Sequence, residues 1–228
     1  MRLHLKSILT RDEVSEARTL LGPDAPWTDG RSSAGAQAAG RKNNQQLAQD
    51  SEAARRLREL VVGALRRDPL FFSAALPRRI FNPLFNRYAG AANHYGAHVD
   101  NAILHSRHPE QWVRSDLSCT LFLSEPAEYD GGELVLHEPQ GEQRIKLPAG
   151  DLILYPGASL HQVTPVTRGT RVASFFWVES MVRSAEQRQL LFELDMALVR
   201  LRQRSPDDPA VLQLTGTYHH LLRLWADT

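Results

Sequence analysis

Cysteine is almost absent from this chain. Cys119 stands alone among 228 residues, so no internal disulfide and no thiolate metal cluster can form, which suits a reducing compartment. Cys119 itself reads as a small buried hydrophobe. Long hydrophobic runs are missing as well. The opening Met1-Arg2-Leu3-His4-Leu5-Lys6 is broken by charge before an apolar signal core can form, and no later stretch has the length of a bilayer span. The expectation is a cytoplasmic protein with no membrane partner. Neither sign of charge is in excess: 27 Lys and Arg against 26 Asp and Glu leave a formal +1, too little for a field that gathers nucleic acid or anionic lipid. Arg55, Arg56, Arg58, Arg66 and Arg67 do cluster, but Glu52, Glu59 and Asp68 are interspersed among them. That pattern reads as a solvated helix face, so no nucleic-acid partner is expected. Repeats and low-complexity linkers are also lacking, and the length suits one domain with one substantial core.

What is present divides into three stretches. Leu3, Leu5 and Ile8 suggest an opening strand, and Thr10 with Glu13 has capping-box spacing for a helix to about Leu21. Residues 23–46, rich in Gly, Ala, Ser, Asn and Gln, read as a long loop. Asp50 or Ser51 can cap a second helix, whose Ala54, Leu57, Leu60, Val61, Ala64 and Leu65 recur at helical spacing up to Asp68-Pro69 and would back a sheet. From about residue 70 to 179 short runs at 81–88, 117–123, 133–137, 144–147, 151–155 and 172–178 are separated by Gly, Pro, Asp and Asn, the punctuation of antiparallel strands. A jelly roll or cupin-like barrel is the natural architecture. Beyond Ser180 the sequence turns helical, with a stripe of Leu190, Leu191, Leu194, Ala197, Leu198 and Leu201 and a second helix over about 209–225. The fold expected is therefore α+β: a double-stranded β-helix core at about 78–179, supported by N-terminal helices. One unit at 1–180 would carry a helical extension at 181–228.

Within the β region four residues have a chemistry in common. His98 and Asp100 are two apart, so on a strand end both side chains aim at one point. Such a pair is common by chance and carries weight only in context. His161 lies 63 residues further on, after a turn-rich segment, where a rolled sheet can bring it beside the first two. Two imidazoles and a carboxylate can hold Fe(II) on one face of an octahedron and leave the opposite face open. Arg171 follows ten residues later at the head of an apolar strand. An arginine directed into a barrel needs an anionic partner, and an acidic co-substrate would supply one in bidentate form. None of the other nearby histidines has both an acidic partner two residues on and a strand-end position. His94, His105, His108 and His137 read as surface or supporting groups, and the adjacent His219 and His220 diverge around a helix axis.

The segments His94-Tyr95-Gly96-Ala97-His98-Val99-Asp100-Asn101-Ala102, Tyr129-Asp130-Gly131-Gly132-Glu133-Leu134, Gly150-Asp151-Leu152-Ile153-Leu154-Tyr155-Pro156 and Ser159-Leu160-His161-Gln162-Val163 resemble the bacterial PKHD-type hydroxylases. These form a prolyl/lysyl-hydroxylase-like branch of the Fe(II)- and 2-oxoglutarate-dependent dioxygenases. Trp27-Thr28-Asp29-Gly30, Ala34-Gly35, Lys42-Asn43-Asn44-Gln45 and Arg87-Tyr88-Ala89-Gly90 extend the likeness over almost the whole chain. The resemblance implies iron at His98, Asp100 and His161, with 2-oxoglutarate anchored on Arg171. It also implies O2 as oxidant, release of succinate and CO2, and L-ascorbate as reductant. Tyr88, ten residues before His98, either faces the co-substrate as the resemblance implies or fills the core.

Three function classes follow: a hydroxylase, a non-catalytic iron or 2-oxoglutarate sensor, and a cupin-type metal enzyme without 2-oxoglutarate. Arg171 argues against the third. The substrate, a protein side chain or a small molecule conceivably tied to bacterial iron uptake, is expected to meet the residues at 27–46 and 105–114. The C-terminal stripe covers the β core or pairs with a second subunit as a homodimer.

Overall fold

The computed structural model describes residues 1–33, 40–107 and 110–228; Ala34, Gly35 and His108 lie outside the described residues. Two antiparallel sheets face each other across an interior that is apolar at one end and polar at the other. The larger sheet runs, strand by neighbouring strand, β1 (Leu3–Leu5), β14 (Leu152–Pro156), β10 (Leu117–Phe122), β17 (Arg171–Ser180), β6 (Leu84–Tyr88), β4 (Gln45–Leu47) and β2 (Trp27–Asp29), with β5 (Pro77–Ile80) also on β17. The smaller sheet runs β13 (Gly141–Ile145), β12 (Leu134–Glu138), β15 (Leu160–Val163), β7 (His94–His98) and β3 (Lys42–Asn43). Two ribbons, β8 (Ile103–Arg107) with β9 (Glu110–Arg114) and β11 (Tyr129–Gly131) with β16 (Val166–Gly169), complete the sheet structure. This is the expected α+β jelly roll.

Alternation of side chains separates two cores. Cys119, Leu121, Leu152, Leu154, Phe176 and Val178 point outward from the larger sheet and meet Leu57, Val61, Ala64 and Leu65 of helix α2 (Glu52–Arg67). Ser51 caps that helix, and helix α1 (Arg11–Leu20) has the full capping box between Thr10 and Glu13. The opposite face of the same strands, Phe122, Ile153 and Tyr155, packs on Leu134 and Leu136 of the smaller sheet. Burial on both sides holds the register, because a slip of one residue would exchange the two faces.

Two expectations are corrected. Residues 23–46 are not one long loop: β2, β3 and the start of β4 lie within them and extend both sheets. These strands are two or three residues long and polar, so no apolar alternation marks them in the sequence. The break at Asp68-Pro69 starts a further helix, α3 (Pro69–Ala75), with Asp68 as N-cap accepting from the Phe71 N–H at 2.6 Å. Leu76, just after α3, and Val182, just after the last strand, pack with Leu191 and Leu198 of α4 (Ala185–Arg204) and Tyr218 of α5 (Pro209–Trp225), whereas Leu190 and Leu201 of the expected stripe are exposed. No helix among the described residues is long and apolar enough to cross a membrane.

The Tyr129-to-Leu134 turn combines left-handed backbone with close approach. Gly131 has φ +69°, and a Cβ there would stand 2.0 Å from the Pro165 carbonyl oxygen; Gly132 has φ +63° and lies against the Arg171 side chain. We predict that Gly131→Ala costs about 1–3 kcal/mol, the scale of a forced left-handed residue, read as a lowered urea midpoint with unchanged slope.

Candidate active site

His98 and His161 are directly opposite each other on β7 and β15. The pairing from His161 to Val163 spans two residues, whereas its partner spans three, from His98 back to Tyr95, so β7 carries a bulge. A regular strand would turn Tyr95 and His98 to opposite faces. The bulge turns both inward, and Tyr95 stacks on the His98 ring with centroids 3.7 Å apart and planes at 17°. Asp100 follows just beyond the strand end. One ligand atom from each of His98, Asp100 and His161 falls within 4.8 Å of the others.

The ring nitrogens are assigned by their partners. His98 Nδ1 lies 2.8 Å from the Gly96 carbonyl oxygen and His161 Nδ1 2.9 Å from that of Ser159. A carbonyl can only accept, so Nδ1 carries the proton in both rings and Nε2 keeps a lone pair for a metal. Both Nε2 atoms are 3.8 Å from a carboxylate oxygen of Asp100. Burial, reinforced by the neighbouring His161, holds His98 well below the ordinary histidine range, which keeps its ring neutral. Asp100 is held in turn: Ser118 Oγ and Trp177 Nε1 both donate to its Oδ2 at 2.8 Å. Two donors fix the plane of the carboxylate and leave Oδ1 unclaimed by either.

Arg171 occupies the other end of the same cavity. It is 1 % exposed, pairs across the strands with Tyr88, and carries its guanidinium 5.1 Å above the Tyr88 ring and 5.3 Å from that of Phe122. Its Nε and Nη1 have no hydrogen-bond partner among the described residues, and the Tyr129 hydroxyl lies beside the guanidinium, which counters the rise in the Tyr129 pKa caused by burial. Tyr88 is buried and lines the cavity, with its hydroxyl accepting a long hydrogen bond from Asn86 Nδ2 at 3.4 Å and burial raising its pKa. The cavity, about 90 Å³, is also lined by Lys42, Asn44, Thr120, Tyr155, Phe175 and Trp177. That is room for several waters or one small ligand.

Sequence reasoning brought His98, Asp100, His161, Arg171 and Tyr88 into view, and the fold places all five on this one cavity. It missed Ser118, Trp177, Tyr95 and Lys42. Trp177 had a signal, since it shares the parity of Arg171 on one strand and so faces the same way. Tyr95 had none, because three-residue spacing reaches the site only through the bulge. His94, His105 and His137 lie outside the cavity, bound to Asn93, Glu110 and Glu142.

Two sequence families match this chain: the 2OG-Fe(II) oxygenase superfamily over residues 83–179 and the PKHD-type hydroxylase C-terminal domain over 186–227. A PKHD-type hydroxylase of Polaromonas sp. (strain JS666 / ATCC BAA-500) is 60 % identical over 228 residues, covering all of both chains, and one of Variovorax paradoxus (strain S110) is 58 % identical over the same span. The chain belongs to the PKHD-type hydroxylases. It is thus a 2-oxoglutarate-dependent dioxygenase, and its family implies Fe(II) and 2-oxoglutarate. The fold is shared with a Trichoplax adhaerens prolyl hydroxylase solved with a hypoxia inducible factor peptide (TM-score 0.57, 16 % identity, 83 % of this chain and 86 % of that one). It is also shared with HygX of Streptomyces hygroscopicus solved with nickel, 2-oxoglutarate and hygromycin B (TM-score 0.52, 14 % identity, 78 % and 82 %).

Two outcomes follow for this PKHD-type site. Trp177→Phe, which deletes one donor to Asp100, should weaken divalent-metal affinity about 10- to 100-fold in a competition titration while the fold's thermal midpoint moves little. Because the folded state holds His98 below its unfolded value of about 6.5, the unfolded chain takes up the proton first. The metal-free protein should therefore keep this contribution to stability above that pH and lose it as the pH falls, a trend checked by urea melts from pH 8 to 5.

Proposed function

We propose that His98, Asp100 and His161 hold Fe(II), that Arg171 binds the distal carboxylate of 2-oxoglutarate, and that the chain hydroxylates a substrate entering past Val99 and Leu104. The observation that carries this reading is the coexistence, in one small cavity, of three oriented ligand atoms and a buried guanidinium with two nitrogens that lack a hydrogen-bond partner. An unpaired buried charge is costly. A dicarboxylate anchored there reaches toward the metal ligands and removes the cost. A metal enzyme without a 2-oxo acid would leave that guanidinium uncompensated.

Iron with 2-oxoglutarate and O2 supplies oxidative decarboxylation to succinate and CO2 and the oxidising power to hydroxylate a C–H bond. The protein's own residues do the rest. His98 and His161 present Nε2 because backbone carbonyls hold their Nδ1 protons. Ser118 and Trp177 fix Asp100. Phe122, Leu134, Ile153 and Tyr155 keep the closed end dry, which strengthens the Arg171 contact. Tyr88, at the Arg171 end, directs its hydroxyl to the co-substrate. Ascorbate would serve as reductant, residues 1–180 would form the catalytic unit with 181–228 as an extension, and a substrate tied to bacterial iron uptake belongs to the same reading.

The test is an anaerobic titration with Fe(II) and then 2-oxoglutarate. Wild type should develop the visible charge-transfer band of a chelated complex, His98→Ala should not, and His161→Ala should form no succinate above background while remaining folded by circular dichroism. Iron binding without the band would remove the 2-oxoglutarate part of the reading.

A further inference from the structure

The cavity contains a second cation that the reaction, as described so far, leaves without a task. Lys42, on the β3 edge of the smaller sheet, is 5 % exposed and lines the cavity. Its Nζ stands 5.1 Å from the Tyr95 ring centre and 5.7 Å from that of Phe175. Arg171 lies over different rings, those of Tyr88 and Phe122. Phe175 is four residues along β17 from Arg171, about 13 Å of strand at ~3.3 Å per residue, so the two cations occupy opposite ends. The Lys42 end is the metal end: Tyr95 stacks on His98, and Trp177, the next inward residue after Phe175, donates to Asp100. Its rim, Val99, Asn101 and Leu104, includes the half-exposed Val99, so this end opens outward.

Charge counting gives Lys42 its role. In the metal-free protein the ammonium lies in the field of Asp100 and, at longer reach, of exposed Asp29, which oppose the cost of its burial. A divalent ion bound by Asp100 cancels that attraction. With a dianionic co-substrate on Arg171, the two side-chain cations and the metal exceed the Asp100 and co-substrate anions by one positive charge. Bulk water screens Asp29 and weakens its contribution. A net excess of positive charge among mostly buried groups favours an anion. The flat faces of Tyr95, Phe175 and Trp177 beside it supply apolar walls for a carbon skeleton.

We propose that the substrate carries a carboxylate seated against Lys42, with the carbon to be hydroxylated between that anchor and the metal. The proposal rests on the iron and 2-oxoglutarate reading above and names the substrate class of the same site. It requires only that Lys42 donate one hydrogen bond to the incoming anion, and makes no demand on its other contacts. A free carboxylic acid and an acidic protein side chain present the same group, and the test separates them.

Protein loaded anaerobically with Fe(II) and 2-oxoglutarate is titrated with two matched probe pairs, benzoate against benzamide and a hexapeptide with a central glutamate against its glutamine twin. Binding is followed by the charge-transfer band and by tryptophan fluorescence. At least one pair should show a tenfold or greater preference for the carboxylate, and which pair does so identifies the source. Lys42→Met should abolish that preference, Lys42→Arg should retain most of it, and the affinity for 2-oxoglutarate should stay within about twofold in both. Equal binding of charged and neutral twins in wild type would overturn the proposal whatever the variants do, as would a preference that survives in Lys42→Met. A large loss of 2-oxoglutarate affinity in Lys42→Met would overturn it by placing Lys42 in the co-substrate site. Absence of the charge-transfer band in wild type would instead indict the underlying iron and 2-oxoglutarate reading.

Discussion

A guanidinium buried without enough partners is the constraint around which this protein is arranged. Arg171 heads the longest strand, lies inside the barrel at 1 % exposure, and has two N–H-bearing nitrogens that no protein group satisfies. Folding alone gives no return for such a placement. The surroundings fix the group without neutralising it: aromatic rings of Tyr88 and Phe122 border the guanidinium, and Gly132, where a Cβ would come 3.1 Å from Arg171 Cδ, leaves room for its stem. The cavity is thereby shaped for an anion before one arrives, which lowers the ordering cost of binding.

The same strand links the anion end to the metal end. Arg171, Phe175 and Trp177 share a face of β17, so one extended segment carries the anchor, a cavity wall and the donor that orients Asp100. Across the interior, the bulge in β7 and the hydrogen bonds from each Nδ1 to a carbonyl two residues earlier settle which nitrogens face the metal. The larger sheet is held on both sides, against helices outside and against the opposing sheet within. Catalytic geometry of this kind tolerates little looseness.

How much could be read beforehand follows the physics of each feature. The helix α1 and α2 caps were legible because Thr10, Glu13 and Ser51 are local signals, satisfied within a few residues. His98, Asp100, His161 and Arg171 were legible because metal and carboxylate chemistry admits few residue types, so the right letters stand out in an apolar strand pattern. The short polar strands at 27–47 were not, since β3 and β4 join the sheets through β7 and β6, some forty to fifty residues away in sequence. Nor was the inward turn of Tyr95, which exists only because the backbone bulges. Lys42 carries no signal of its own in the sequence, because its place in the cavity depends on β3 pairing with β7.

The central claim, that Arg171 waits for the distal carboxylate of 2-oxoglutarate, is tested most directly by a four-way affinity comparison. Anaerobic, Fe(II)-loaded wild type and Arg171→Met are each titrated calorimetrically with 2-oxoglutarate and with 2-oxobutanoate, which lacks the distal carboxylate. The account predicts that wild type prefers 2-oxoglutarate by about two orders of magnitude, the ~3 kcal/mol scale of removing one partner from a buried ion pair, and that the preference collapses in Arg171→Met. A wild type indifferent to the distal carboxylate, or a variant that keeps the preference, would contradict it.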